Sequence, residues 1–305
     1  MLEKLLHTQS KNNMFIIKYK KIFVSISVGL VLLSILAVGL SGLKWGIDFK
    51  GGSLLEIEYK TARPEQSIIE NTIKPLSFGE MVIQPTGTMG YSIKVKEINE
   101  QERTSIMTAL GADVTEKSFT SVGPSVGAEL IRKSILSFIL VALGIIFWIA
   151  FSFRKVSKPV SSWKYGLIAI ITLVHDILIP VGAFAILSNI YGTEIDTLFV
   201  VAILTILGLS VSDTIVVFDR IRENIRVGHY KTFEETVGKS LEQVYTRSIA
   251  TSSTVIIALL ALVFFGPSST KVFAMMLTAG MFFGTYSSIF LASPLLVMFK
   301  NLQKK

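Results

Sequence analysis

The sequence predicts a polytopic α-helical membrane protein: six transmembrane helices, with a small ferredoxin-like α+β extracytoplasmic domain between the first and second. Three observations predict it. Half of the 305 residues are hydrophobic, and six apolar runs recur, each long enough to cross a bilayer. The stretch after the first run reads strand-helix-strand-strand-helix-strand, the element order of a ferredoxin-like unit. Basic residues cluster beside the apolar runs on alternate sides, as cytoplasmic loops do.

Residues 1–21 are polar and basic, with Lys4, Lys11, Lys18, Lys20 and Lys21 against Glu3. They place the N-terminus in the cytoplasm and the first span at 22–43, which lacks a small-residue cleavage site and reads as retained. Residues 44–133 then lie outside. In 53–60 the apolar Leu55, Ile57 and Tyr59 alternate with Glu56, Glu58 and Lys60, a half-buried strand. Pro64 fits the first turn of a helix carrying Ile68, Ile69 and Ile73. Residues 81–83 and 91–95 are strands around the turn signal Thr86-Gly87-Thr88, 99–110 a second helix and 114–122 a fourth strand.

The second span, 134–153, is followed by Arg154, Lys155, Lys158 and Lys164, a cytoplasmic marker. The third, 165–190, contains His175, Asp176 and Pro180, and the fourth, 197–218, returns to the inner side. Residues 219–247 form a cytoplasmic loop. In it Thr232 and Glu235 make a capping-box signature, and Phe233, Val237, Leu241 and Val244 share one helical face. That pattern predicts an amphipathic helix lying on the inner membrane surface. The fifth span is 248–265 and the sixth 272–299, kinked at Pro294, before the basic tail 300–305. Both termini are thus cytoplasmic. Arg132 and Lys133 depart from the rule, beyond a long outer domain where the rule is weakest.

The formal charge of +8 does not mark a nucleic-acid partner, because the basic residues flank apolar spans without interleaved aromatics. There is no cysteine, which excludes disulfides, thiol catalysis and Cys-based metal sites. His7, His175 and His229 lack metal-ligand spacing, and no cofactor motif is present.

An acid inside an apolar span costs several kcal/mol unless it is paired, hydrated or protonated. Asp213 lies five residues before Phe218, roughly 8 Å inside the inner boundary. Arg247 opens the fifth span from the same side. Facing each other, the two form either a proton relay, with Asp213 titrating and Arg247 setting its affinity, or a static ion pair. His175 and Asp176 lie deeper. As chain neighbours on a helix they point about 100° apart, which makes it awkward for both to face one path. They serve either as relay groups or as packing contacts. The hydroxyl-rich start of the fifth span, Ser248 to Thr254, either hydrates a path or bonds its own backbone. Gly280 and Gly284 mark a close helix contact. An intramembrane aspartyl protease needs two membrane acids, which Asp176 and Asp213 supply, but Gly-x-Gly-Asp is absent, as are HExxH and a phosphate loop. The chain reads as no enzyme.

Five motifs in order resemble those of the SecF proteins of the SecD/SecF family, allied to the RND superfamily. They are Gly46-Ile47-Asp48-Phe49-Lys50-Gly51-Gly52, Val122-Gly123-Pro124-Ser125-Val126-Gly127, His175-Asp176, the run from Val211-Ser212-Asp213 to Phe218-Asp219-Arg220, and Thr246-Arg247-Ser248-Ile249. The resemblance implies a multi-pass subunit of the bacterial inner membrane, forming one RND-type half that pairs with a separate SecD chain. It implies work beside the SecYEG channel, SecA and YajC-like subunits on unfolded exported polypeptides, among membrane lipid. Inward proton flow would drive outer-domain motion, with Asp213 as proton carrier and Arg247 as its basic partner. Asp219 and Arg220 would belong to an inner-face motif. Gly51 and Gly52 suit a tight backbone path, and Asp48 would hold the outer domain's orientation. From the residues alone, a carboxylate among hydroxyls serves H⁺ or Na⁺ equally. Two other readings compete: an RND-type exporter of lipid or small molecules, and a scaffold of the translocon whose charges are structural.

Overall fold

The computed structural model describes residues 15–79, 81–153, 160–228 and 230–302. Lys4, Lys11, Arg154, Lys155, Lys158, His229, Lys304 and Lys305, which carried topology or loop expectations, lie outside them. The chain divides into two compact units. One comprises Met1–Leu43, Phe138–Thr193 and Leu198–Lys305, the other Lys44–Ser137 and Glu194–Thr197.

The second unit holds a four-stranded antiparallel sheet: β1 (Gly52–Tyr59), β2 (Val82–Thr86), β3 (Gly90–Val95) and β4 (Val114–Val122), in the order β2-β3-β1-β4. This is the ferredoxin-like order, with β1 central. It pairs Leu55 with Ile93 on one side and with Phe119 on the other. Alternation works as the sequence pattern demands: Leu55, Ile57 and Ile93 are buried against Ile69, Ile73 and Ile106 of the two covering helices. Three short helices belong to this unit: α2 (Ile47–Lys50), α3 (Gln66–Ile73) and α4 (Glu100–Leu110). A reciprocal capping box starts α4, with Asn99 accepting from the Glu102 N–H and Glu102 accepting from the Asn99 N–H. Pro64 is not in the first turn of α3. The helix starts at Gln66 with Glu65 as its N-cap, and the Pro64 carbonyl instead accepts from the Tyr91 hydroxyl at 2.6 Å.

Among the described residues, six helices are long and apolar enough to cross a membrane. They are α1 (Lys20–Ser41), α5 (Pro124–Ser152), α6 (Ser162–Tyr191), α7 (Thr197–Val227), α8 (Phe233–Phe265) and a sixth built from three pieces. Those pieces are α9 (Ser268–Ser287), a π-helical turn (Ser288–Ala292) and α10 (Ser293–Leu302). The expected disturbance at Pro294 falls here as a π turn just before it. A proline ring clashes with the carbonyl four residues back, and slack in the preceding turn relieves the clash. Gly280 and Gly284 do mark a close helix contact. A Cβ at Gly284 would sit 3.2 Å from the Ser210 Cβ, and one at Gly280 would run into Ile206.

The amphipathic segment is not a separate helix on a membrane surface. It is the first part of α8, continuous with the fifth span, and Phe233, Val237, Leu241 and Val244 are buried in the bundle core. The hydrophobic stripe reads the same in either setting; what differs is that protein, with Phe218 and Ile221 of α7 in the same cluster, covers it. The Thr232 cap is as expected, its hydroxyl accepting from the Glu235 N–H at 3.1 Å.

Candidate functional site

Among the described residues, two carboxylates stand inside the bundle, and both are held by hydroxyls. Asp213, in the middle of α7, is half-buried. Its Oδ1 accepts from Ser248 Oγ of α8 and its Oδ2 from Ser288 Oγ of the π turn, each at 2.6 Å. Asp176 of α6 is fully buried. Its Oδ1 lies 2.7 Å from His175 Nδ1, and its Oδ2 accepts from Ser287 Oγ at 2.7 Å and from Ser210 Oγ of α7. Four helices therefore contribute to one polar cluster in otherwise apolar spans.

The local backbone explains how this cluster is built. Ser287 and Ser288 straddle the passage from α9 into the π turn, where helical phase changes. Consecutive residues there address different neighbours. Gly284, one turn earlier, leaves room for Ser210 to approach. A second hydroxyl layer adjoins: Thr285 Oγ1 donates to Ser252 Oγ at 2.5 Å, and Ser252 Oγ donates to the Ser248 carbonyl at 2.9 Å. Of the hydroxyl-rich start of the fifth span, then, Ser248 reaches an acid while Ser252 and Thr254 bond their own helix. The sequence pointed to Ser248 only as part of a run. It gave no specific pointer to Ser210, Ser287 or Ser288, whose roles depend on which helix lies opposite.

His175 and Asp176 do not face separate paths. The imidazole turns so that Nδ1 meets the neighbouring carboxylate, and its ring stacks on Tyr286 at 6.1 Å between centroids. Its Nε2 has no hydrogen-bond partner among the described residues. Asp213 and Arg247 are not brought together. Arg247 is exposed on α8, and among the described residues Asp213 takes part in no ion pair. Arg247 opens the fifth span one residue before Ser248, so it points to another face than the serine that bonds Asp213.

Asp219 and Arg220, at the far end of α7, make local pairs instead: Asp219 with Arg222, and Arg220 with Glu223 at 2.5 Å. Arg222 reaches further. Its Nη1 donates to the Ser152 carbonyl at 3.1 Å, at the C-terminus of α5, and its guanidinium lies over the Phe153 ring. A cation there complements the negative end of the helix dipole.

In the second unit the glycine-rich motif is folded tightly. Gly51 has φ +81° and Gly52 φ +132°, conformations that disfavour any side chain. A Cβ on Gly52 would sit 2.8 Å from the Val95 carbonyl. A Cβ on Gly127, near the start of α5, would sit 2.6 Å from the Phe49 carbonyl, so α2 and that helix touch backbone to backbone. Phe49 itself is buried, and Pro124 lies against Gly51. Gly123 provides the link between β4 and Pro124. Gly46 donates its N–H to the Ile195 carbonyl at 2.8 Å, and the Ile195 N–H bonds the Lys44 carbonyl at 2.7 Å. Asp48 Oδ2 accepts from both the Thr197 N–H, at 2.8 Å, and the Thr197 hydroxyl, at 2.7 Å.

The chain matches two family descriptions: "Protein export membrane protein SecD/SecF, C-terminal" over residues 102–302 and "SecD/SecF GG Motif" over residues 37–62. It is 42% identical over 302 residues to a protein translocase subunit SecF of Thermobaculum terrenum, covering 94% of each chain. It is 34% identical to a protein of the same name from Anaerolinea thermophila, covering 92% of each. Among solved structures it resembles SecDF, a translocon-associated membrane protein from Thermus thermophilus, with TM-score 0.80 and 30% identity. That match covers 93% of this chain and 38% of the SecDF chain. A second SecDF structure, in a super-membrane-facing form, matches with TM-score 0.67 and 30% identity.

Proposed function

The chain belongs to the SecD/SecF family of protein-export membrane proteins, and on that premise we propose that it promotes protein export as the SecF half of a SecD–SecF complex, driven by the proton motive force. Relatives named protein translocase subunit SecF are matched over 94% and 92% of their own length, and the SecDF chain over 38% of its length, which supports SecD as the partner of this chain. The names of its relatives speak for protein export over export of lipid or small molecules.

One observation carries the proton reading. Among the described residues, Asp213, in the middle of α7, has hydroxyl partners alone. Hydroxyls serve both protonation states: they donate to a carboxylate and accept from a carboxylic acid. A lysine or arginine locked onto Asp213 would instead hold it charged. In this reading the proton arrives at Asp213 and cancels a buried charge. One of the two serine bonds then reverses direction, which shifts the preferred packing of α7 against α8 and the π turn. Asp176 and His175 form a second polar layer, either passing the proton on or fixing the geometry. The coupling ion is H⁺, no other cofactor takes part, and the chain carries out no bond-making chemistry of its own.

Arg247 has its place in this reading as well. With Thr251 and Thr254 of α8 and Ser212 of α7, it puts polar groups on exposed faces of apolar helices. Such groups are costly against lipid and fit a protein partner, so these faces are assigned to the SecD subunit, where Arg247 acts on the relay from the interface. The complex works beside SecYEG, SecA and YajC-like subunits in the bacterial inner membrane, on unfolded polypeptides emerging from the channel. The sheet domain lies outside and both termini in the cytoplasm, in keeping with the basic residues around the spans.

The test is pulse-chase maturation of a secretory precursor in cells whose only copy carries Asp213→Asn. Asparagine keeps the shape, accepting from one serine through its oxygen and donating to the other through its Nδ2–H, but cannot carry the proton. Maturation slowed several-fold, with membrane levels and SecD co-purification unchanged, is the expected outcome. Normal maturation would leave a scaffold role in place of proton coupling.

A further inference from the structure

The segment 194–197, which links α6 to the acid-bearing helix α7, is fastened within the sheet unit. Its attachments are the two backbone bonds between Ile195 and residues Lys44 and Gly46, the two bonds from Thr197 to Asp48, and an ion pair of Glu194 with Lys94 of β3 at 2.9 Å. Ile195 is buried beneath them. Gly46 is required for the approach, since a Cβ there would lie 2.8 Å from the Ile195 carbonyl.

Asp48 is the distinctive member of this set. It comes from 149 residues away and binds the first residue of α7 by both its backbone N–H and its hydroxyl. A free N–H at a helix N-terminus attracts a carboxylate through both hydrogen bonding and the helix dipole. Thr197 precedes Asp213 by 16 residues of unbroken helix, about 24 Å at 1.5 Å per residue. A helix bonded along its length moves axially as a rod, so displacement at Asp213 reaches Thr197 with little loss.

We propose that the Asp48–Thr197 contact is the latch through which α7 drives the sheet domain. Asp48 is a positioning residue, and it stays bound to Thr197 while the two move together. This rests on the proton-coupled reading of Asp213 and names where its motion leaves the bundle.

The absence of natural cysteine permits a direct test in the full chain assembled with SecD. Asp48→Ala slows precursor maturation at least fivefold without loss of SecD co-purification. Thr197→Val, which keeps the N–H bond and loses the hydroxyl bond, gives an intermediate rate. The pair Asp48→Cys with Thr197→Cys is as slow as Asp48→Ala when reduced. Linked covalently, by oxidation or by a short thiol-reactive linker, it recovers to within about twofold of the parent. A linked pair that stays slow, with the link verified on a non-reducing gel, overturns the latch, because a bond that must open or a charge that must act cannot be replaced by a covalent tie. Wild-type export by Asp48→Ala overturns it also. Should Asp48→Ala fail to accumulate, Thr197→Val and the cysteine pair decide alone. The same tie placed in Asp213→Asn separates the two readings. Rescue that depends on Asp213 supports both. Rescue with or without it keeps the latch and removes proton coupling.

Discussion

Ser287 and Ser288 are chain neighbours, yet their hydroxyls hold different acids: Ser287 bonds Asp176 and Ser288 bonds Asp213. Each hydroxyl also lies within bonding distance of a carbonyl in its own helix, Gly284 or Thr285, so its single proton is shared between the acid and the backbone. The two carboxylates are therefore joined through one peptide unit at the start of a π turn.

That relationship predicts coupled effects. Ser288→Ala and Ser248→Ala each remove one donor from Asp213, at a cost of about 1.5–3 kcal/mol for a hydrogen bond to a charged group. Each single variant is expected to slow export less than Asp213→Asn. The double variant Ser287→Ala with Ser288→Ala departs from the sum of the single effects, because residues in one network do not add. Pulse-chase rates in the four strains give the cycle, and strict additivity would show that the two acids act independently.

A packing prediction follows from the glycine pair in α9. Gly280 faces Ile206 so closely that a Cβ there runs into the side chain, while Gly284 leaves 3.2 Å to Ser210. Gly280→Val overpacks the α9–α7 contact and is expected to destabilise the complex by about 1–3 kcal/mol. Gly284→Val additionally pushes Ser210 away from Asp176. Thermal unfolding of the detergent-solubilised complex reads both, and export reads the extra loss at Gly284.

Much of this architecture is legible in the residues. The spans are visible because lipid demands long apolar runs, and the sheet because period-two alternation in 53–60 fixes which side of β1 is buried. Asp213, Asp176 and His175 stand out because charge in such runs is rare. The misreadings share a cause. The stripe Phe233-Val237-Leu241-Val244 says that one face is covered and is silent on whether lipid or protein covers it. Similarly, Arg247 and Asp213 share a depth by counting residues, but azimuth around two helices decides whether they meet, and depth does not report azimuth. Serines 210, 287 and 288 look like ordinary helix hydroxyls until the opposing helix is known.

Leu241 tests the corrected placement of that stripe. It is fully buried in the bundle core, so Leu241→Ala opens a cavity and costs about 2–5 kcal/mol. A helix resting on lipid would lose membrane affinity with little change in unfolding. A clear fall in the thermal midpoint of the purified complex is expected.

The sheet domain carries an alkaline signature. Tyr59, at the end of β1, is held above the usual phenol range, first by burial and then by the nearby Tyr91 and Asp113. A group whose folded pKa exceeds its unfolded value keeps its proton longer in the native state. Its stabilising effect is full below the unfolded value, near pH 10, and is lost as pH rises through the higher folded one. Stability of the domain should therefore fall once pH exceeds about 10. Tyr59→Phe, which has no proton to lose, should flatten that fall while leaving neutral-pH stability within about 1 kcal/mol. Denaturant midpoints of the two proteins, followed from neutral to alkaline pH, supply the comparison. Parallel curves would mean that another group governs alkaline unfolding.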